Sequence, residues 1–127
     1  MKKNNGIYVI AEAGVNHNGK LKLAMDLVDN AVSSGANAIK FQTFQTDLLV
    51  TDYAKKAKYQ VNNVIKSSTQ FEMLKNLELS EKEFKDLYDY CVFKGIDFLS
   101  TAFDSNSLDF LRNELKINVF KIPSGDI

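Results

Sequence analysis

Two lysines occupy similar places near the ends of two apolar segments. Lys40 lies in 36–42, and Lys121 lies in 117–122. Alternate side chains of a strand point to opposite sides of its sheet, so each lysine points away from its apolar neighbours. A buried ammonium group costs several kcal/mol unless it has an anionic partner. Two lysines that converge on one rim of a sheet therefore predict a site for phosphate or carboxylate. The alternative is that each lysine pairs with a nearby acid such as Glu12.

Other polar side chains stand at the ends of the same predicted strands. Glu12 ends the first apolar run and could act as a general acid or base. Thr101 ends the third run and offers a hydroxyl to an anion oxygen. After the fourth run, Ser124 and Asp126 lie in a Pro-Ser-Gly-Asp turn that could direct a backbone N–H and a hydroxyl at the same ligand. Polar residues at four strand ends indicate one shared site more strongly than any single residue does.

His17 is the only histidine and lies in an Asn-His-Asn-Gly segment close to Glu12. One histidine cannot form a metal site, and the sequence has no CxxC or HxxxH spacing. Two roles stay open for it: a loop histidine that hydrogen-bonds the backbone, or a direct ligand of a substrate. The single cysteine, Cys91, cannot form an internal disulfide and is predicted to be a buried core thiol.

Short apolar runs alternate with stripes of helical period, which is typical of parallel β/α units. Capping-box spacing at Ser80 and Glu83 marks one helix start, and Gly35 and Gly95 mark two helix ends. The predicted strands are 7–11, 36–42, 96–101 and 117–122, and the predicted helices are 21–32, 80–95 and a short one that carries Leu108, Leu111 and Leu115.

Residues 43–79 form an excursion that is too long for an ordinary connection in a compact domain. It is predicted to contain short helices around 53–60 and 69–77. Because it leaves the carboxyl end of the second strand, where α/β folds bind ligands, it is a candidate substrate loop. A plain surface insertion is the alternative.

Length and composition limit the possible classes of protein. The chain has 127 residues, 45% of them apolar, and sixteen charges of each sign, so neither disorder nor a basic nucleic-acid surface is indicated. No apolar run approaches the ~18 residues of a membrane helix, and we expect a cytoplasmic protein with no membrane partner. A closed eight-stranded barrel needs at least ~200 residues. The chain can supply about half of such a (β/α)₈ TIM barrel, so we expect an α/β fold of four parallel strands with intervening helices, truncated after the fourth strand.

Four segments together resemble the sialic acid synthase family. They are AEAGVNHNG from Ala11, IKFQT from Ile39, FLST from Phe98 and FKIPSGD from Phe120. This family includes N-acetylneuraminate synthases and their legionaminic, pseudaminic and spore-coat polysaccharide relatives. The resemblance covers nearly the whole chain. It implies that 1–127 is part of a TIM-barrel synthase domain, without the C-terminal half-barrel and the antifreeze-like domain.

The resemblance implies that phosphoenolpyruvate condenses with an N-acetylated amino sugar, such as N-acetylmannosamine, to give a sialic acid or related nonulosonic acid and phosphate. It implies Mn²⁺ or Mg²⁺ as cofactor, with ligands beyond residue 127, and a homodimer of the complete enzyme. The residues that would bind the phosphate and carboxylate of phosphoenolpyruvate are Lys40, Gln42, Thr101, Lys121 and Ser124.

By the same resemblance, Glu12 would be the acid/base or electrostatic partner at the reacting centre, and Asp126 would lie close to the sugar and the metal. Many relatives have Glu at the position of Asp126, and relatives usually have Pro where this chain has Ala102. The 127 residues alone are expected to be inactive. The alternatives are a non-catalytic half-barrel that binds an anion or a partner chain, and a synthase with a different acceptor.

Overall fold

The computed structural model describes residues 6–50 and 69–126. Along this part of the chain three strands alternate with five helices, and a 3₁₀ turn follows at Ser124–Asp126. In chain order these are β1 (Ile10–Gly14), α1 (Leu21–Ser33), β2 (Ala38–Thr43), α2 (Thr46–Leu49), α3 (Gln70–Lys75), α4 (Glu81–Lys94), β3 (Asp97–Ala102) and α5 (Ser105–Asn113).

The strands form one parallel sheet in the order β1, β2, β3. Parallel neighbours joined through helices confirm the α/β class that the sequence predicts. The first strand lies further along the chain than expected, at Ile10–Gly14 rather than 7–11. Pairing with β2 begins only where the backbone N–H groups of Asn37 and Ala38 donate to the carbonyl of Val9, and Ile7 is exposed before that point.

One face of the sheet packs against the helices and forms the core. The rings of Phe41 in β2 and Phe98 in β3 are stacked with centroids 5.8 Å apart, and Tyr88 of α4 meets Phe98 edge-on at 5.7 Å. The predicted helical stripes supply most of the facing side chains, which are Ala24, Val28 and Ala31 of α1, Phe84, Leu87 and Cys91 of α4, and Leu111 of α5. Phe110 of α5, which the sequence did not predict, joins them, whereas Leu108 is exposed.

Helix α4 begins and ends where the sequence predicts. The Ser80 hydroxyl accepts the backbone N–H of Glu83, and the Glu83 carboxylate accepts the backbone N–H of Ser80. Gly95 ends the helix with φ of 73°, a left-handed conformation that costs glycine little. Gly35 has φ of 75° just after α1. These two glycines turn the chain from a helix into the next strand.

Cys91 is buried in the middle of α4, which confirms the prediction of a core thiol. Burial raises its pKa to about 12. The thiol is therefore protonated at neutral pH and fills space between the helix and the sheet. Val92, which was expected on the same stripe, is exposed because it lies one residue further around the helix.

The fourth predicted strand, 117–122, is not formed, so the expectation of four strands is corrected to three in the described residues. Ile117 is buried and donates its N–H to the carbonyl of Leu111. Further along, 120–123 face the end of β3 and the start of α5 across a cavity of about 270 Å³. A strand needs a hydrogen-bonded neighbour, and this gap keeps 120–123 from pairing with β3.

The excursion at 43–79 carries a helix at each of its described ends. Helix α3 confirms the prediction around 69–77, whereas the helix predicted around 53–60 lies outside the described residues. Lys75 ties the two ends together, because its Nζ lies 3.1 Å from both Asp47 and Glu78. The backbone N–H of Thr46 also donates to Glu78, at 2.9 Å. Burial of Glu78 opposes its ionisation, but its bonds to Thr46 and Lys75 outweigh burial and hold its pKa below the usual value.

A side-chain hydrogen bond spans the middle strand at the amino end of the sheet. The Tyr8 hydroxyl, just before β1, donates to the carboxylate of Asp97, the first residue of β3. Burial, followed by the hydrogen bond and the charge of Asp97, raises the pKa of Tyr8 to about 12. The folded chain thus holds this proton more tightly than the unfolded chain, whose tyrosine has its ordinary pKa of 10.0.

We predict that stability falls as the pH rises from about 10 towards 12, because the unfolded chain releases the Tyr8 proton first. Urea midpoints at pH 8 to 11 measure this effect. Tyr8→Phe should be less stable at pH 8 and should lose stability less steeply above pH 10 than the wild type. The lysines titrate equally in both proteins, so only the Tyr8 proton should make their pH dependences differ. An equally steep loss of stability with pH in the two proteins would contradict the prediction.

Candidate functional site

Four polar side chains lie on the face of the sheet opposite the core, which we call the polar face: Glu12, Lys40, Gln42 and Thr101. Strand β2 places two of them, because Ile39 and Phe41 point into the core and the residues between and after them must point the other way. In the parallel register, Lys40 pairs with Glu12, and Gln42 pairs with Thr101. The sheet therefore brings together four of the residues that the sequence predicted.

Glu12 reaches the polar face through the regular alternation of β1, and a bulge follows it. The register with β2 shifts between Glu12 and Gly14, so Ala13 has no partner of its own. Ala11 and Ala13 both contact the core cluster, and Glu12 between them faces Lys40. Pairing resumes at Gly14, which is opposite Phe41, so Glu12 lies in the middle of β1, two residues before its end.

Lys40 and Glu12 form an ion pair across β1 and β2. The two side chains differ in exposure, with 16% for Lys40 and 53% for Glu12. The lysine is therefore largely removed from water and depends on its partner, whereas the carboxylate remains accessible. Pairing with Glu12 was the alternative reading of Lys40, and the structure shows that pair. An accessible carboxylate beside a desolvated ammonium group can bind an anion and move a proton.

Gly14 lines this pair and was not singled out in the sequence. Its φ is +54°, and a Cβ at this position would lie 3.5 Å from Oε1 of Glu12 and 3.6 Å from Nε2 of Gln42. The glycine thus keeps open the space between the carboxylate and the amide. The signal that could have found it is its place two residues after Glu12, where a strand gives way to a loop.

Thr101 lies almost at the end of β3 and is 4% exposed. Its strand neighbour Ser100 points to the other face, where its hydroxyl lies 2.7 Å from the hydroxyl of Thr43. Since Gln42 and Thr101 are register partners, the threonine hydroxyl belongs to the same polar face as the ion pair. Ala102 follows it without a change in the ladder, because it still pairs with Thr43.

Lys121 does not join the ion pair in this structure. It is exposed, and its Nζ donates to the carbonyl of Ile122. The expected convergence of Lys40 and Lys121 relied on a strand at 117–122, and without that strand no sheet fixes the direction of the Lys121 side chain. Ser124 is exposed in the 3₁₀ turn, which also includes Asp126. Lys121 and Ser124 therefore lie outside the cluster that the sheet assembles.

His17 lies in the β1–α1 loop and is buried rather than open to the polar face. Its Nδ1 accepts the backbone N–H of Gly19 at 3.1 Å, and its ring contacts Phe41 of the core. Of the two roles left open by the sequence, this geometry is that of a histidine bonded to the backbone.

Neither a metal site nor a membrane segment is found among residues 6–50 and 69–126. No group of three or more His, Cys, Asp and Glu side chains there could hold a metal ion. No helix in those ranges is long and apolar enough to span a bilayer.

We predict that Gly14→Ala disturbs the polar face while Gly35→Ala does not. Both glycines have positive φ, so an alanine at either position costs about 1–2 kcal/mol of backbone strain. A Cβ at position 35 has no atom within 4 Å, whereas one at position 14 meets Glu12 and Gln42. The side-chain amide signals of Gln42 in an NMR spectrum should therefore move only in Gly14→Ala. Equal movement in both variants, or none in either, would contradict this.

Comparisons with known proteins agree with this arrangement. The model of the NeuB family matches residues 27–127. The N,N'-diacetyllegionaminic acid synthase of Legionella pneumophila is 55% identical over 120 residues, which are 94% of this chain and 33% of that enzyme. The enzyme of the same name from Campylobacter jejuni is 47% identical over 119 residues, which are 94% and 35% of the two chains.

A solved structure shows the same fold. The N-acetylneuraminic acid (sialic acid) synthetase of Leptospira borgpetersenii matches with a TM-score of 0.74 and 36% identity, over 96% of this chain and 38% of that chain. The chain spans about one third of the length of the relatives it matches. The resemblance drawn from the four sequence segments is confirmed: this chain belongs to the NeuB family.

Proposed function

We propose that the protein containing this chain is a nonulosonic acid synthase that condenses phosphoenolpyruvate with an N-acetylated amino sugar. The relatives with 55% and 47% identity are legionaminic acid synthases, which supports the synthase class. The observation that carries the proposal is the Glu12–Lys40 pair, which shares a face with Gln42 and Thr101 near the carboxyl ends of β2 and β3, where α/β folds bind their ligands.

Lys40 is the group best suited to hold the anionic substrate. Its ammonium is largely desolvated, so its attraction for an anion is screened less than that of a surface lysine. Gln42 and Thr101 flank it on the same face and add neutral donors for phosphate or carboxylate oxygens. Phosphoenolpyruvate carries both anionic groups on three carbons, which matches a compact cluster of one cation and two neutral donors.

Glu12 is the group best suited to act at the reacting carbons. In the proposed reaction, carbon three of phosphoenolpyruvate forms a bond with the aldehyde carbon of the open-chain sugar. The aldehyde oxygen takes a proton, water adds at carbon two, and phosphate leaves as the bond between carbon two and its bridging oxygen breaks. A half-exposed carboxylate beside Lys40 can accept the proton of that water or orient it.

The remaining assignments rest on the family resemblance. In the complete protein we assign Lys121 and Ser124 to the same substrate anion and Asp126 to the neighbourhood of the sugar. The resemblance also implies Mn²⁺ or Mg²⁺ and a homodimer, and we propose a cytoplasmic location for the protein. By the same resemblance, we propose that the ligands of this ion lie beyond residue 127.

The acceptor sugar is the second point of the proposal. The most similar of the relatives described above make an acid whose name specifies two N-acetyl groups, whereas N-acetylneuraminate-9-phosphate synthases of animals are 31% identical to this chain. This difference favours an acceptor with two N-acetyl groups over N-acetylmannosamine. Rates with the two sugars, compared at equal phosphoenolpyruvate concentration, distinguish them.

The reaction is tested with phosphoenolpyruvate that carries ¹⁸O in the bridging oxygen. We expect the full-length protein to release phosphate only when an acceptor sugar and a divalent cation are present, and the released phosphate should contain the ¹⁸O. Label retained in the sugar acid would show cleavage of the P–O bond and contradict the mechanism. Absence of acceptor-dependent phosphate release would contradict the proposed function itself.

We predict that Lys40→Met in the full-length protein lowers kcat/KM for phosphoenolpyruvate roughly ten- to hundredfold. The reason is loss of a charged hydrogen bond, worth about 1.5–3 kcal/mol. Lys22→Met is the matched control, because Lys22 also pairs with a carboxylate, Asp26, but on the exposed surface of α1. Steady-state kinetics of both variants measure the effect. Unchanged kcat/KM in Lys40→Met would show that Lys40 does not bind phosphoenolpyruvate.

A further inference from the structure

His17 has one bonded and one unpartnered ring nitrogen in a buried position. Its side chain is 1% exposed. The backbone N–H of Gly19 donates to Nδ1, so the ring proton lies on Nε2. Among the described residues Nε2 has no hydrogen-bond partner. Burial lowers the pKa of His17, against the opposite effect of the Glu83 carboxylate, and the ring is therefore neutral at neutral pH.

The unpartnered Nε2 makes histidine an unfavourable choice for filling this space. A buried N–H without an acceptor is destabilising, and a phenylalanine or leucine would fill the same volume without it. The feature that an apolar residue cannot supply is Nδ1, which accepts the N–H of Gly19 inside the loop. The histidine is therefore explained by the conformation of the loop, in which Nδ1 serves as a hydrogen-bond acceptor.

The loop between β1 and α1 consists of successive turns. Three backbone N–H groups, each 3.0 Å from its acceptor, join Asn16 to Ala13, Asn18 to Val15 and Lys20 to His17. Gly19 lies against the carbonyl of Asn76, because a Cβ on it would come within 2.1 Å of that oxygen. The turn at Gly19 is thus held by the imidazole on one side and by the segment after α3 on the other.

The imidazole also connects this loop with the strand that carries the lysine. Its ring lies 6.1 Å from the ring of Phe41, at an angle of 44°. Phe41 is the residue between Lys40 and Gln42 in β2. On the other side, the loop follows the bulge that comes directly after Glu12, the register partner of Lys40. His17 therefore lies between the backbone that follows Glu12 and the backbone that presents Lys40.

We propose that His17 is a positioning residue for the Glu12–Lys40 pair, which it serves by accepting the N–H of Gly19 and packing on Phe41. In this role it touches neither the substrate nor the reacting atoms. It fixes the loop relative to β2, and thereby the carboxylate relative to the ammonium group. This role is additional to the proposed synthase activity, and its kinetic consequences rest on that activity.

Two substitutions in the full-length protein separate positioning from space filling. His17→Phe keeps a ring against Phe41 and removes the acceptor, whereas His17→Asn can place an amide oxygen close to the position of Nδ1. We expect His17→Phe to lower kcat at least tenfold per folded molecule, with less than a threefold change in KM for phosphoenolpyruvate. His17→Asn should restore kcat to within threefold of the wild type.

Cys91→Ala is the control, because it removes a buried side chain from the core and leaves the loop unchanged. It should keep the wild-type kcat per folded molecule. A His17→Phe protein with wild-type kcat, or a His17→Asn protein as slow as His17→Phe, would overturn the positioning role. A wild-type protein without acceptor-dependent phosphate release would instead overturn the proposed function.

NMR of the same proteins tests the positioning role without activity, even if His17→Phe does not fold. In the wild type, the ¹⁵N signals of the imidazole should show a neutral ring with its proton on Nε2 at pH 7. The side-chain signals of Glu12 and Lys40 should stay close to their wild-type positions in His17→Asn. A proton on Nδ1, a charged ring at pH 7, or displaced Glu12 and Lys40 signals in His17→Asn would overturn the proposal.

Discussion

An ammonium group that is mostly withdrawn from water requires a negative charge beside it, and this requirement organises the polar face of the sheet. Lys40 lies on the middle strand, and its countercharge must come from a neighbouring strand. Glu12 supplies it because it is the register partner of Lys40 on β1 and points to the same face of the sheet. The pair leaves the carboxylate more accessible than the lysine. A substrate anion can then interact with Lys40 while Glu12 stays within reach of the reacting atoms.

Core and site depend on each other through the alternation of β2. Ile39 and Phe41 must face the helices to bury their side chains, and this orientation alone directs Lys40 and Gln42 to the polar face. A slip of one residue in the register would bury the lysine and expose Phe41. Burial of Ile39 and Phe41 in the core therefore also determines the direction in which Lys40 and Gln42 point.

The sequence predicted the features that local rules determine. The capping box at Ser80, the left-handed Gly95 and the apolar stripes of α1 and α4 depend on neighbours a few residues apart, and they are confirmed except at Val92, which is exposed. The strand at 117–122 has the right residues but lacks a hydrogen-bonded partner, and pairing cannot be read from composition. The bulge at Ala13 and the orientation of His17 likewise arise from contacts between β1, its loop and β2. Of the candidate site, the face shared by Lys40 and Gln42 followed from strand period, whereas the ion pair with Glu12 was one of two open readings.

The most direct test of the account is a crystal structure of the full-length protein with phosphoenolpyruvate bound. The account predicts that an anionic oxygen of the ligand lies within hydrogen-bond distance of Lys40 Nζ, with the Glu12 carboxylate facing the ligand's three carbons. Phosphoenolpyruvate bound away from the carboxyl ends of β1 and β2, with the Glu12–Lys40 pair closed and untouched, would contradict it.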